Sequence, residues 1–267
     1  MDVKSARSIE NIVTSVRVLE GGGFPVRRPF PNPEMDQIDP FLLLDHLGPT
    51  EWGPREAIGA PDHPHRGFET VTYLLAGENE HKDSKGNHGC LRPGDVQWMT
   101  AGSGVVHSEM PSPEFFEKGG TMHGFQIWVN LPSKRKMISP RYQDTPSERI
   151  PEVVLEDGKS KVRVIAGEFK GVEAVIETNT PILYLHALLE PGIELKHPFS
   201  IDDNIMAYLV SGKGDFGENE DAHAAVEGQL VLFAHDGDSI SLRSPDDSSL
   251  ELLLLGGTPI NEPMVRY

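Results

Sequence analysis

Tyr73-Leu74-Leu75-Ala76-Gly77 is a short apolar run closed by glycine, and Tyr208-Leu209-Val210-Ser211-Gly212 repeats it far along the chain. Downstream of the first run lies Leu91-Arg92-Pro93-Gly94-Asp95-Val96, whose counterpart is Ala225-Val226-Glu227-Gly228-Gln229-Leu230. Tyr73 and Tyr208 stand 135 residues apart and Gly94 and Gly228 stand 134 apart, so the two matches share one register. Self-similarity at a fixed offset means two copies of one structural unit. Each run has the length of a strand and is bounded by Gly, Pro, Asn or Asp, as are Val96-Gln97-Trp98-Met99 and Phe125-Gln126-Ile127-Trp128-Val129. In the last of these, Phe125, Ile127 and Val129 alternate with Gln126 and Trp128, a period of two that buries one face. The 27 glycines and 22 prolines are dispersed between such runs, and helical periodicity is weak. The expected class is therefore all-β, with an N-terminal domain at residues 1–135 and a C-terminal domain at residues 136–267. The polar, proline-containing stretch from Pro132 to Pro151 reads as their connection, and the acidic residues after Gly77 read as a turn.

Composition narrows the function. Lys and Arg total 24 against 41 Asp and Glu, a formal net charge of −17, which argues against direct binding to nucleic acid or to an anionic membrane surface. Hydrophobic residues at 37% and charged residues at 24% suit a globular chain with a buried core. Residues 200–251 hold Lys213 and Arg243 against twelve acidic residues, so the acidity is concentrated in the second repeat. The single cysteine, Cys90, excludes an intrachain disulfide and a thiolate-rich metal site, and fits a reducing compartment. Met1 to Glu20 contains no apolar run resembling a signal segment, and no stretch of the chain is long and apolar enough to span a bilayer. The expected location is cytoplasmic, or nuclear in a cell with a nucleus.

The chemical signal lies in His63-Pro64-His65 and in Gly102-Ser103-Gly104-Val105-Val106-His107-Ser108-Glu109. In a strand, residues two apart share a face, so His63 with His65, and His107 with Glu109, each present two donors side by side. Two adjacent strands bring the four to one point. Three imidazoles and a carboxylate form a mixed N/O set that suits iron(II), manganese, nickel, copper or zinc. A metal that prefers six ligands would keep two positions open, as a catalytic centre needs. A lone histidine on a strand is more often structural, but two pairs at one spacing are harder to dismiss.

These residues resemble the cupin superfamily, whose first motif is followed by Gly59, His63, His65, Glu69 and Gly77 with slightly altered gaps and whose second is followed by Gly104 and His107, with Gly102 standing where the motif has proline. The nearer resemblance is to the pirin family. It rests on Pro40–His46, His63–Tyr73, Pro93–Gly102, His107–Met110 and Gly257–Pro263, and runs from about Val16 onward. The resemblance implies a bicupin, two β-barrels packed face to face, with one mononuclear metal, usually Fe(II), in the N-terminal barrel. Carried over by position, the ligands are His63, His65, His107 and Glu109. The general cupin pattern puts its carboxylate ligand at Glu69; following the nearer family, Glu69 becomes a residue that orients a ligand histidine. Applied to the second repeat, the offset reaches Pro198, Ser200, Leu242 and Ser244, so the C-terminal barrel is expected to keep the shape without metal ligands; His197 and His235 are isolated. Arg66, Phe68, Met122, His123 and Gln126 are expected at the barrel mouth, Asp45 and His46 at its rim, and Trp98 and Trp128 in the core.

The family resemblance implies a quercetin 2,3-dioxygenase type of oxidoreductase that acts on a chelating flavonol-like molecule with dioxygen, with Glu109 passing from ligand to general base. An alternative that it also implies is a redox-sensitive iron-binding regulator acting through a protein partner, such as a transcription factor or a metabolic enzyme. A sugar-isomerase-like cupin is a weaker third reading. Relatives in the family usually continue beyond a run like Gly257–Pro263 into a further segment, whereas this chain stops at Met264-Val265-Arg266-Tyr267.

Overall fold

A computed structural model describes residues 6–218 and 222–265. Strands dominate, as the dispersed glycines and prolines require. Among the described residues the α-helix Pro113–Lys118 stands alone, started by the Ser112 hydroxyl, which accepts from the Phe115 amide at 3.1 Å. No helix among them is long and apolar enough to cross a membrane.

The chain divides into two compact units. One takes Val16–Arg149 with the residues from Ile260 on; the other takes the residues up to Ser15 with Ile150–Pro259. The expected division after residue 135 thus moves to 149, and both termini change sides. The reasons are strand pairings. Arg141–Thr145, expected to be connecting chain, pairs with Val96–Thr100, Tyr142 facing Met99. Ile9–Thr14 pairs with Gln229–Phe233, Ile12 facing Val231.

The first unit holds two antiparallel sheets. Seven strands run in the order Arg141–Thr145, Val96–Thr100, Phe68–Ala76, Gly120–Asn130, Phe41–Trp52, Phe24–Phe30, Val16–Glu20. Four shorter ones run Ala60–His65, Val105–Pro111, Asn79–Asp83, His88–Leu91. The chain bends at Gly77 and Glu78 as expected, and a strand, Asn79–Asp83, follows directly. The inner faces of the two sheets meet where Thr72 Oγ1 donates to Glu109 Oε1 at 2.9 Å.

In the second unit Asn204–Phe216 runs between Gln229–Phe233 and Leu250–Gly257, as Phe68–Ala76 runs between Val96–Thr100 and Gly120–Asn130. Tyr73 faces Val96, and Tyr208 faces Leu230. The sequence offset therefore reappears as equivalent ladder positions, and the chain is an all-β bicupin.

The two interiors differ in chemistry. Across the first sheet one inward rung reads Gln97, Thr72, Gln126, Asp45, each facing the next. The equivalent rung in the second unit reads Val231, Ala207, Leu254, Leu185, all in its apolar core. One barrel is packed solid with hydrocarbon; the other keeps a polar floor.

Candidate metal centre

That polar floor faces the strands Ala60–His65 and Val105–Pro111. Their antiparallel register sets His63 directly opposite His107 and His65 opposite Val105. Alternation along Ala60–His65 turns the His63 and His65 rings to one side. The three rings meet with centroids 4.5 to 4.9 Å apart. One ring nitrogen from each of His63, His65 and His107 lies within 4.8 Å of the others, and among the described residues this is the group of three or more metal-binding side chains that converges.

Tautomer and charge follow from the surroundings. His63 Nδ1 lies 2.8 Å from the Pro61 carbonyl oxygen, which can only accept, so the proton sits on Nδ1 and the Nε2 lone pair is bare. That Nε2 faces His107 Nε2 at 3.1 Å. Two nitrogens bound side by side to one ion at about 2.1 Å would stand about 3 Å apart, so this pair has the spacing of neighbouring ligands. Burial pulls the His65 ring to about 3, with help from His107 and His63, and pulls the His107 ring to about 4, with help from His63 and His81. Both are neutral donors at physiological pH. The His107 Nδ1 atom is buried without a hydrogen-bond partner. Three converging imidazoles are a donor set arranged for a single metal ion.

Glu109 stands beside this triad, not within it. The ladder slips between His107 and Glu109, so Glu109 faces Ala60 on one side and His81 on the other. Burial raises its pKa, and the Thr72 hydrogen bond, His63 and His81 act against that rise. Glu69 departs from expectation. It is fully buried and its Oε1 accepts from Thr100 at 2.6 Å. Strand alternation places it on the face opposite Phe68, Thr70 and Thr72, away from the ring of His65 that Phe68 touches.

A cavity of about 1090 Å³ opens over the site. His63, His65 and Glu109 reach into it, and Phe24, Leu42, Leu43, Phe68 and Trp128 form apolar walls. Trp128, expected in the core, lines this space and meets the His65 ring edge-on at 5.3 Å; Trp98 is fully buried as expected. Asp45 is in the wall, where Arg28 grips it through Nε to Oδ1 at 2.7 Å and Nη2 to Oδ2 at 2.6 Å. Even so, burial lifts Asp45 to about 6. Arg66, Phe68 and Gln126 line the cavity as expected. His46 does not reach the rim: it is fully buried on the other face of its strand, stacked on Phe125 and 2.8 Å from His123 Nε2.

Residues 23–129 match the family described as pirin, and residues 184–267 match the pirin C-terminal cupin domain. A pirin-like protein of Solanum lycopersicum is 45% identical over 248 residues, which cover 93% of this chain and 80% of the relative. The chain belongs to the pirin family. The pirin of Homo sapiens is 39% identical over 264 residues, covering 98% of this chain and 87% of its own length. Among solved structures, a quercetin 2,3-dioxygenase from Acinetobacter baumannii superposes with a TM-score of 0.91 at 35% identity, covering 98% of this chain and 90% of that one.

One buried histidine near the triad escapes a reading of the sequence. His81 is buried opposite Glu109, stacked on Tyr142 with centroids 5.1 Å apart and in contact with Gln97, whose Nε2 also donates to Asp144 at 2.9 Å. Asn79-Glu80-His81-Lys82-Asp83 carries no apolar alternation that would mark it as a strand. Its signal is chemical: a histidine amid charges, a few residues past the first repeated run.

Proposed function

We propose that this chain is a metal-dependent oxygenase of the quercetin 2,3-dioxygenase type, its ion held by His63, His65, His107 and Glu109. The observation that carries the reading is the convergence of three imidazoles, with 3.1 Å between the Nε2 atoms of His63 and His107, at the floor of a roomy cavity. The name and close superposition of the Acinetobacter baumannii relative support the same reaction class. Iron(II) is the ion of this reading, and manganese, nickel, copper and zinc suit the same donors. When bound, the ion supplies redox chemistry and a chelation point for an organic substrate and dioxygen.

The residues of the chain supply binding, orientation and proton handling. A cavity of this size takes a flavonol-like molecule of three rings between its apolar walls. Thr72 holds Glu109 Oε1, so Oε2 is the atom that takes the proton from the substrate hydroxyl; the raised proton affinity of this carboxyl suits it to that work. Asp45, fixed by Arg28, offers an acceptor to a hydroxyl further along the substrate. Glu69 plays no part in this scheme.

The test pairs elemental analysis and electron paramagnetic resonance of protein purified without added metal with oxygen uptake on quercetin. One ion per chain is expected, with uptake reduced on the order of 10²- to 10⁴-fold by Glu109→Gln and abolished, along with the ion, by His63→Ala. A metal-loaded protein that consumes no oxygen with any flavonol overturns the reading.

A further inference from the structure

Behind the large cavity lies a second pocket of about 50 Å³. Phe24, Leu47, Ala60, Glu109 and Gln126 line both spaces, and Glu109 and Gln126 are the polar side chains of the partition between them. On its far side the pocket is bounded by Trp52, Leu74, Pro111 and Met122, a mostly apolar wall.

A space of this size exceeds the roughly 10–15 Å³ that one water needs, yet apolar walls give water few partners, and such cavities take up apolar guests instead. The partition is loosely held on one side. Gln126 Oε1 stands 3.4 Å from Thr72 Oγ1, whose single hydrogen goes to Glu109, and Gln126 Nε2 is buried without a partner, so the amide turns aside at little cost. An organic substrate seated over His63 and His65 would cover the donors on the side of the large cavity. The pocket behind Glu109 and Gln126 stays clear.

We infer that this pocket is a binding station for a small apolar gas, through which dioxygen reaches the centre while the organic substrate occupies the front. The inference rests on the oxygenase reading for the identity of the gas. Crystals of the full chain under xenon pressure test the station. The rate of nitric oxide association with iron-loaded protein, preincubated with quercetin without air, tests the route. Expected are xenon between Leu74 and Met122, its loss in Met122→Phe, and nitric oxide association about tenfold slower in that variant. Leu74→Phe is the second variant should Met122→Phe not fold. Absence of xenon from this place overturns the inference, as do equal nitric oxide rates in wild type and a folded filling variant. Neither readout needs turnover: a protein that passes both yet takes up no oxygen refutes the oxygenase reading and leaves the gas route standing.

Discussion

His65 and His107 give up proton affinity because burial makes their charged forms costly. In metal-free protein they titrate at about 3 and about 4 when folded, and near 6.5 when the chain is open. The unfolded chain therefore holds more protons across that interval, so folded stability declines as pH falls from about 6.5 toward about 3, and this contribution is level above it. Urea midpoints of metal-free protein measured near pH 7, about 5.5 and about 4 should descend, and His107→Gln should flatten the descent. Thr72 acts on the carboxylate. Its hydroxyl favours the charged form of Glu109, so Thr72→Val should move the acidic limb of the oxygen-uptake profile upward by on the order of one pH unit, with the ion content unchanged. An unmoved limb would mean that Glu109 does not govern it.

At the scale of strands, the Arg28–Asp45 pair ties Phe24–Phe30 to Phe41–Trp52 at the edge of the cavity. Both side chains are nearly covered, so Arg28→Leu leaves a buried carboxylate alone. That change should cost about 3–5 kcal/mol, read as a lower denaturant midpoint with an unchanged slope. The strands most legible in the sequence were those with a local signature. Tyr73 and Tyr208 lead apolar runs between turn residues, and the His63 and His65 pair shows its shared face through spacing alone. Asn79–Asp83 was illegible because every residue in it is polar, and its inclusion depends on pairing with Val105–Pro111. Glu69 misled for a related reason. A motif counts residues along the chain, whereas the odd-even parity of a strand decides which side of the sheet a carboxylate serves.

Across the whole molecule, the repeat was visible as an offset, but the exchange of termini was not, since no local pattern tells Ile9–Thr14 which distant strand it will join. Arg7 reinforces that join within the second unit. It is fully buried, and its guanidinium donates to the carbonyls of Gly237, Asp203 and Ser200. Arg7→Met strands those acceptors, so thermal unfolding of the second unit should shift down by several degrees, at about 1–3 kcal/mol, with the ion content of the first unit unchanged. The same join carries a consequence for synthesis. Thr14 and its partner Gln229 are separated by 215 residues. At about 5–20 residues per second, the leading strand emerges from the ribosome on the order of ten to forty seconds before its mate. For that interval its edge is unpaired, and the strand it joins is complete only once translation has passed Phe233.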